Sequence, residues 1–218
     1  MQHELRDFAD DDSLARAAAE YVADVARRCV DERGRFSFAV SGGRTPWAMF
    51  AALSERAMPW ARTTIFQVDE RVVPSVDPAR NVTQLRESLA AVPAVVEPMG
   101  VDEEDLDGAA EHYARILPAR LDLVHLGLGA DGHTASLVPG DPVLDVTDRL
   151  VALTGVYDGH RRMTMTYPAL AEANQLLWLI TGADKRQALS GLLTGDTAIP
   201  AGRVEASHSL VMAERSAL

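Results

Sequence analysis

One cysteine and one lysine are all that this 218-residue chain has of either. With Cys29 alone, no internal disulfide can form, and a reduced, cytoplasmic setting is expected. No apolar run reaches the roughly 18 residues that a membrane-spanning helix needs, so no membrane is expected as a partner. The opening MQHELRDFADDD is acidic and polar and is not expected to act as a signal peptide. Positive charge is also short. Lys plus Arg number 21 against 32 Asp plus Glu, a formal net charge of -11. A nucleic-acid binder needs a basic face to neutralise phosphates, so no nucleic acid is expected. A small anion remains open as a ligand, because a few cations in one cleft outweigh the global field locally. No H-x-x-x-H and no paired Cys/His spacing occurs, so no metal site is expected. No G-x-x-x-x-G-K-[ST] loop occurs either.

What is present is alternation. DSLARAAAEYVADVARRCVDE has apolar residues at helical spacing, with Asp12 or Ser13 to cap it and Gly34 beyond its end. FSFAV (36–40) reads as a buried strand and RTPWAMFAAL as a helix, with Thr45 near its cap and Pro46 at its first position. TTIFQVD (63–69) is a second strand, and Asn81 can cap a helix over 81–92. Residues 93–104 read as loop, and 105–120 hold another helix. Strands follow at 121–129, 149–156, 162–167 and 175–182, and a helix at 184–193. Continuous apolar strands alternating with helices predict an α/β fold, a mostly parallel sheet with helices on both faces. A small antiparallel excursion fits between 141 and 170. One domain over 1–218 is the simplest organisation. Sites in open parallel sheets form at the carboxyl ends of strands, which singles out 41–45, 69–74, 127–134 and 182–186.

At the first junction, AVSGGRTP admits three readings. It is a near miss to the G-x-S-x-G elbow, with Ala39 at the first position and Ser41 as nucleophile. It is an anion cradle, with Gly42 and Gly43 exposing backbone N–H groups beside Arg44 and Thr45. Or it is a plain tight turn. The four residues between Ser41 and Pro46 favour the cradle over an elbow. At the third junction, GLGADGHTASLVPG sets Asp131 two residues from His133, where an acid can orient an imidazole. Its G-x-G-x-x-G match lies mid-chain, away from the first βα unit, which argues against a dinucleotide. His125 alternates within a strand as a core histidine, and His160 reads as part of a solvated loop. QVDERVVP reads as a solvated acidic turn or as Asp69 for hydroxyls with Arg71 for a phosphate. Lys185 falls in the first turn of a helix, unfavourable for a cation unless an anion sits there.

Taken together, SGGRTP, DERVVP with a following RN, LGLGADGHTASLVPG, RRMTMTYPAL and TGADKRQAL resemble the 6-phosphogluconolactonase family, within the glucosamine-6-phosphate isomerase/6-phosphogluconolactonase superfamily. The resemblance spans about residues 36–193. It implies a modified Rossmann-like domain and no cofactor. It also implies hydrolysis of 6-phospho-D-glucono-1,5-lactone, with a sugar phosphate lactone as the small-molecule partner of a monomer or homodimer. The site residues expected are His133 as general base and Asp131 as its orienter or as a hydroxyl ligand. Gly42–Thr45, Arg71 and Lys185 take the phosphate, Ser41 and Asp69 also count as substrate-binding, and backbone N–H groups around Gly129 and Gly132 take the oxyanion. Arg44 departs from the family, which usually has a small residue there. Deaminases of the superfamily carry D-G-H-I-A-F-N-E-P at the histidine loop, and Val138 stands here in the glutamate position. A deaminase, a Ser41 esterase and a non-catalytic sugar-phosphate sensor are the alternatives.

Overall fold

The computed structural model describes residues 3–218. Strand β1 (Glu4–Phe8) leads into helix α1 (Asp11–Arg33). Asp10 accepts the Ser13 amide while the Ser13 hydroxyl accepts the Asp10 amide, a reciprocal cap. Ser13 is therefore the third helical residue, and the cap lies earlier than the expected Asp12 or Ser13. Gly34 ends the helix in the left-handed conformation at φ 72°. Strand β2 (Phe36–Val40) runs to helix α2 (Arg44–Ser54), whose cap position is Gly43 rather than Thr45. Strands β3 (Thr63–Gln67) and β4 (Asp69–Arg71) precede helix α3 (Asn81–Ser88), which is preceded by Arg80 in the cap position. Strand β5 (Val95–Glu97), helix α4 (Leu106–Ile116) and strand β6 (Leu123–Leu126) follow. The hairpin β7 (Val151–Tyr157) and β8 (His160–Met165) leads to α5 (Tyr167–Ala171), β9 (Leu176–Ile180), α6 (Arg186–Thr194) and β10 (Ser209–Glu214).

Seven strands form one parallel sheet in the order β1-β10-β9-β6-β2-β3-β5. Strand side chains alternate between two apolar cores, as a pleat demands. Phe36, Phe38 and Val40 pack with α1 and α2, whereas Leu176, Trp178 and Ile180 pack on the opposite face with α6 residues Leu189 and Leu192. Helices thus cover both faces. A smaller antiparallel sheet, β4-β8-β7, supplies the expected excursion and also recruits β4 from earlier in the chain.

The expected strand over 63–69 breaks at Val68, which bonds to both sheets. Its amide donates to Val40 O at 3.0 Å and its carbonyl accepts from Met165 N at 2.7 Å. Strands β1, β5 and β10 went unanticipated. β1 is an edge strand of alternating charges with little buried surface, and β5 has three residues inside the stretch expected to be loop. β2 and β6 are neighbours from which the chain order diverges both ways, so the carboxyl ends of β2, β3, β6 and β9 border one crevice. No helix among the described residues is long and apolar enough to cross a membrane.

Candidate active site

A cleft of about 530 Å³ opens at those carboxyl ends. A single sugar phosphate fits comfortably in this volume. Ser41, Gly42, Gly43, Arg44 and Thr45 line it, at the start of α2. First-turn amides of a helix have no intrahelical acceptor, and the helix dipole adds partial positive charge there. Thr45 Oγ1 lies 3.1 Å from Thr181 Oγ1 and ties this loop to the end of β9. A side chain at Gly42 would overlap the Asn81 carboxamide, so only glycine lets α3 approach here. Ser41 is held by His125. Its hydroxyl donates to His125 O, and its amide donates to His125 O and Nδ1, each at 3.3 Å. The Ser41 amide is therefore spent, and its hydroxyl is bonded to a carbonyl rather than to a base. Burial pushes the fully enclosed His125 imidazole down to about 3, so it stays neutral.

The D-E-R run divides its labour by the pleat. Asp69 and Arg71 share one face of β4 and line the cleft. Glu70 points away, fully buried. Its carboxylate accepts from Gln67 Nε2, Arg71 N, Asn81 N and Val82 N at 2.8–2.9 Å. It thereby caps the start of α3 and fixes the Arg-Asn pair against β4. Arg71 Nη1 donates to Asn81 Oδ1 at 2.6 Å and to Ala79 O at 3.0 Å. Asp69 Oδ2 accepts the Ser136 hydroxyl at 2.6 Å, which pins the histidine loop to β4.

In that loop His133 Nδ1 lies 2.6 Å from Asp131 Oδ1. An ionised carboxylate only accepts, so Nδ1 carries the proton and Nε2 is left as the basic nitrogen. The same Asp131 oxygen accepts the His133 amide at 3.1 Å. Partial burial pushes the Asp131 carboxyl up. The His133 amide and ring and the Tyr157 hydroxyl outweigh this and hold it below its ordinary value. A side chain at Gly129 would overlap both His133 Nδ1 and Asp131 Oδ1. The expected oxyanion donors need correction. Gly129 N donates to His133 O at 2.8 Å and Gly132 N to Gly129 O at 3.0 Å, so both amides are consumed in shaping the loop.

Lys185 lines the cleft as the last residue of a short 3-10 turn (Ala183–Lys185), in the cap position of α6 rather than inside the helix. Asp184 pairs with it at 2.9 Å and offsets part of its conflict with the helix dipole. Two cleft residues escaped the sequence reading. Asn81 was taken for a cap, and Arg162 for the first residue of a strand with no role at the site. Arg162 is 6% exposed and lies directly opposite Arg71 in the β4–β8 register. Tyr157 was missed too, and its hydroxyl donates to Asp131 Oδ2 at 3.1 Å. Four cations (Arg44, Arg71, Arg162, Lys185) and four acids (Asp11, Asp69, Asp184, Glu214) line the cleft of a strongly acidic chain. A larger groove of about 930 Å³ beside α3 and α4 is lined by five acids (Glu97, Asp102, Glu103, Glu104 and Asp105) against Arg80 and Arg86, a balance less favourable to a phosphate.

The family model for glucosamine-6-phosphate isomerases/6-phosphogluconolactonase matches residues 9–213. The chain belongs to this family. It is 37% identical over 177 residues to a 6-phosphogluconolactonase of Synechocystis, covering 74% of this chain and 73% of that protein. A Mesorhizobium japonicum 6-phosphogluconolactonase is 36% identical over 198 residues, covering 84% and 82%. The crystal structure of a Thermotoga maritima 6-phosphogluconolactonase superposes with a TM-score of 0.87 at 27% identity, covering 98% of this chain and 99% of that one. A monomeric glucosamine-6-phosphate deaminase has the same fold, with a TM-score of 0.87 at 18% identity and 98% of each chain covered. The family fold agrees with the parallel sheet and two-sided helices described above.

Proposed function

We propose that this chain hydrolyses 6-phospho-D-glucono-1,5-lactone to 6-phospho-D-gluconate. The observation that carries the reading is the 2.6 Å Asp131–His133 contact in a cleft whose other end is a glycine-rich helix start beside Lys185. The phosphate docks on Gly42–Thr45 and Lys185, with Arg71 beside it, and this anchoring holds C1 near His133. Asp69 accepts from sugar hydroxyls. His133 Nε2 takes a proton from water as the water oxygen bonds to C1, and the C1=O electron pair moves to oxygen. The tetrahedral intermediate collapses, the C1–ring oxygen bond breaks, and the imidazolium protonates the departing oxygen. A δ-lactone is an activated ester, so the scheme needs no covalent nucleophile and no cofactor.

Val138 supports the lactonase over a deaminase. It is 5% exposed and stands where the resemblance places the deaminase glutamate, while the carboxylate on the imidazole comes from Asp131. The test is the decay of freshly made 6-phosphogluconolactone followed by NMR, with a protein-free blank. Decay well above the blank, with plain gluconolactone much slower, is expected. Decay at the blank rate, or equal rates on the two lactones, would overturn the reading or its phosphate anchor respectively.

A further inference from the structure

The scheme above leaves one charge unplaced. As the water bonds to C1, negative charge gathers on the former carbonyl oxygen, and such oxygens are stabilised by preorganised donors. The loop amides that would be the obvious donors are already bonded to His133 O and Gly129 O. Arg162 has donors to spare. A guanidinium carries five N–H groups. Here the one hydrogen bond from its side chain among the described residues is Nη2 to Tyr157 O, at 3.4 Å. Its Nε is buried with no partner. Two other buried side-chain nitrogens share that condition, but Arg80 Nε lies 3.5 Å from the Glu70 carboxylate and His125 Nε2 lies in the core. Arg162 is the one of the three that lines the cleft.

We propose that Arg162 is a catalytic residue at the lactone end of the cleft, donating to the C1 carbonyl oxygen as it becomes an oxyanion. This rests on the lactonase reading above. Position decides which end it serves. The Arg162 guanidinium lies 5.2 Å from the centre of the Tyr157 ring, and the His133 ring centre lies 5.3 Å from the same point. Tyr157 in turn reaches Asp131 Oδ2 at 3.1 Å and His133 Nδ1 at 3.4 Å through its hydroxyl. Arg162 and the general base therefore pack against the same aromatic ring. The phosphate loop already has the α2 start and Lys185, and Arg71, opposite Arg162 across the β4–β8 pair, is tied by its own hydrogen bonds to Asn81 Oδ1 and Ala79 O. The charge is also desolvated. Asp69, Asp158 and Tyr157 favour its charge and Arg71 opposes it, yet burial outweighs them, so none of these groups offsets the desolvation as a bound anion would.

The test compares Arg162→Gln and Arg162→Lys with the parent on two substrates, 6-phosphogluconolactone and unphosphorylated glucono-1,5-lactone. Removing one oxyanion donor typically costs on the order of 10²–10³-fold in kcat. Arg162→Gln is expected to lose that much on the phosphorylated lactone with KM nearly unchanged, and the same factor in kcat/KM on the plain lactone. Arg162→Lys keeps the charge without the fork and should fall between. Loss confined to the phosphorylated lactone would make Arg162 a phosphate ligand and overturn the proposal. Unchanged rates on both would overturn it too. If Arg162→Gln fails to fold by circular dichroism, the lysine variant decides by the same comparison. A parent that accelerates neither lactone fails the lactonase reading and takes this proposal with it. An active parent with indifferent variants fails this proposal alone.

Discussion

The Tyr157 hydroxyl donates to Asp131 Oδ2 at 3.1 Å while Asp131 Oδ1 holds His133 Nδ1 at 2.6 Å, so one carboxylate is gripped from both sides. The two grips come from different parts of the fold. His133 and Asp131 belong to the loop after β6, and Tyr157 to the β7–β8 hairpin.

Tyr157→Phe removes one of the contacts that hold the Asp131 carboxyl low. Its pKa is expected to rise towards the ordinary value, read by carboxyl-carbon NMR titration. An unmoved Asp131 would show that the hydroxyl contact carries no weight in solution.

His133→Ala removes the general base, which typically costs on the order of 10²–10⁴-fold in kcat. Binding of the product, measured by calorimetry, should persist, because the phosphate anchor lies elsewhere. Full activity in this variant would take His133 out of the mechanism.

Among the described residues the Ser41 hydroxyl bonds to the His125 carbonyl, at 3.3 Å, and to no side-chain base. A fluorophosphonate probe should leave the active protein unlabelled. Stoichiometric labelling at Ser41 would instead establish an acyl-enzyme route.

Glu70→Gln swaps a buried carboxylate that accepts four N–H groups for an amide that accepts with one oxygen. Hydrogen bonds to charged groups contribute about 1.5–3 kcal/mol, so a loss of that order in denaturant unfolding is expected. Because Asn81 and Arg71 shift with α3, KM for the phosphorylated lactone should rise as well. A variant with parent stability and KM would show that Glu70 does not organise this end of the cleft.

His125 is held neutral in the folded protein at about 3, against about 6.5 when unfolded. Between those values the unfolded chain binds the extra proton, so this group's contribution is present above about pH 6.5 and is lost as pH falls. The slope is about 1.4 kcal/mol per pH unit. His125→Asn keeps an acceptor for the Ser41 amide and removes the titration. Unfolding free energies at pH 7 and pH 5 should differ less in the variant than in the parent.

The parallel sheet was legible because its strands are continuous apolar runs broken by helices with clear ends. Phe36–Val40 and Leu176–Ile180 needed no tertiary information. The loops at the carboxyl ends of β2 and β6 were legible for a different reason, since two glycines before Arg44 and an Asp two residues from a His are local chemistry. Arg162 and Tyr157 were not found, because their importance lies in pairing across strands. Even so, Asp158-Gly159 carried a signal. Both residues have positive φ (50° and 78°), and Tyr157 pairs directly with His160, so this is the two-residue turn that Asp-Gly favours. Reading it as a hairpin would have joined the strands expected at 149–156 and 162–167 and set Arg162 on the same face as Tyr157. Glu70 was hidden because its partners lie 11 and 12 residues downstream, at the start of a helix whose cap the sequence assigned to Asn81.

That two-residue turn has a further consequence. A strand presents alternate residues to alternate sides, so the wall of the cleft formed by the hairpin is governed by parity. With the turn kept at two residues, deleting one residue at Asp158–Gly159 would set Val156, now 75% exposed, opposite His160 in place of Tyr157, and inserting one would set Asp158 there. The seven-stranded sheet would not register the change. A hairpin longer or shorter by one residue keeps a tyrosine on Asp131 if a bulge absorbs the change, as the irregularity between Leu153 and Val156 already does elsewhere in this pair, and otherwise loses that contact.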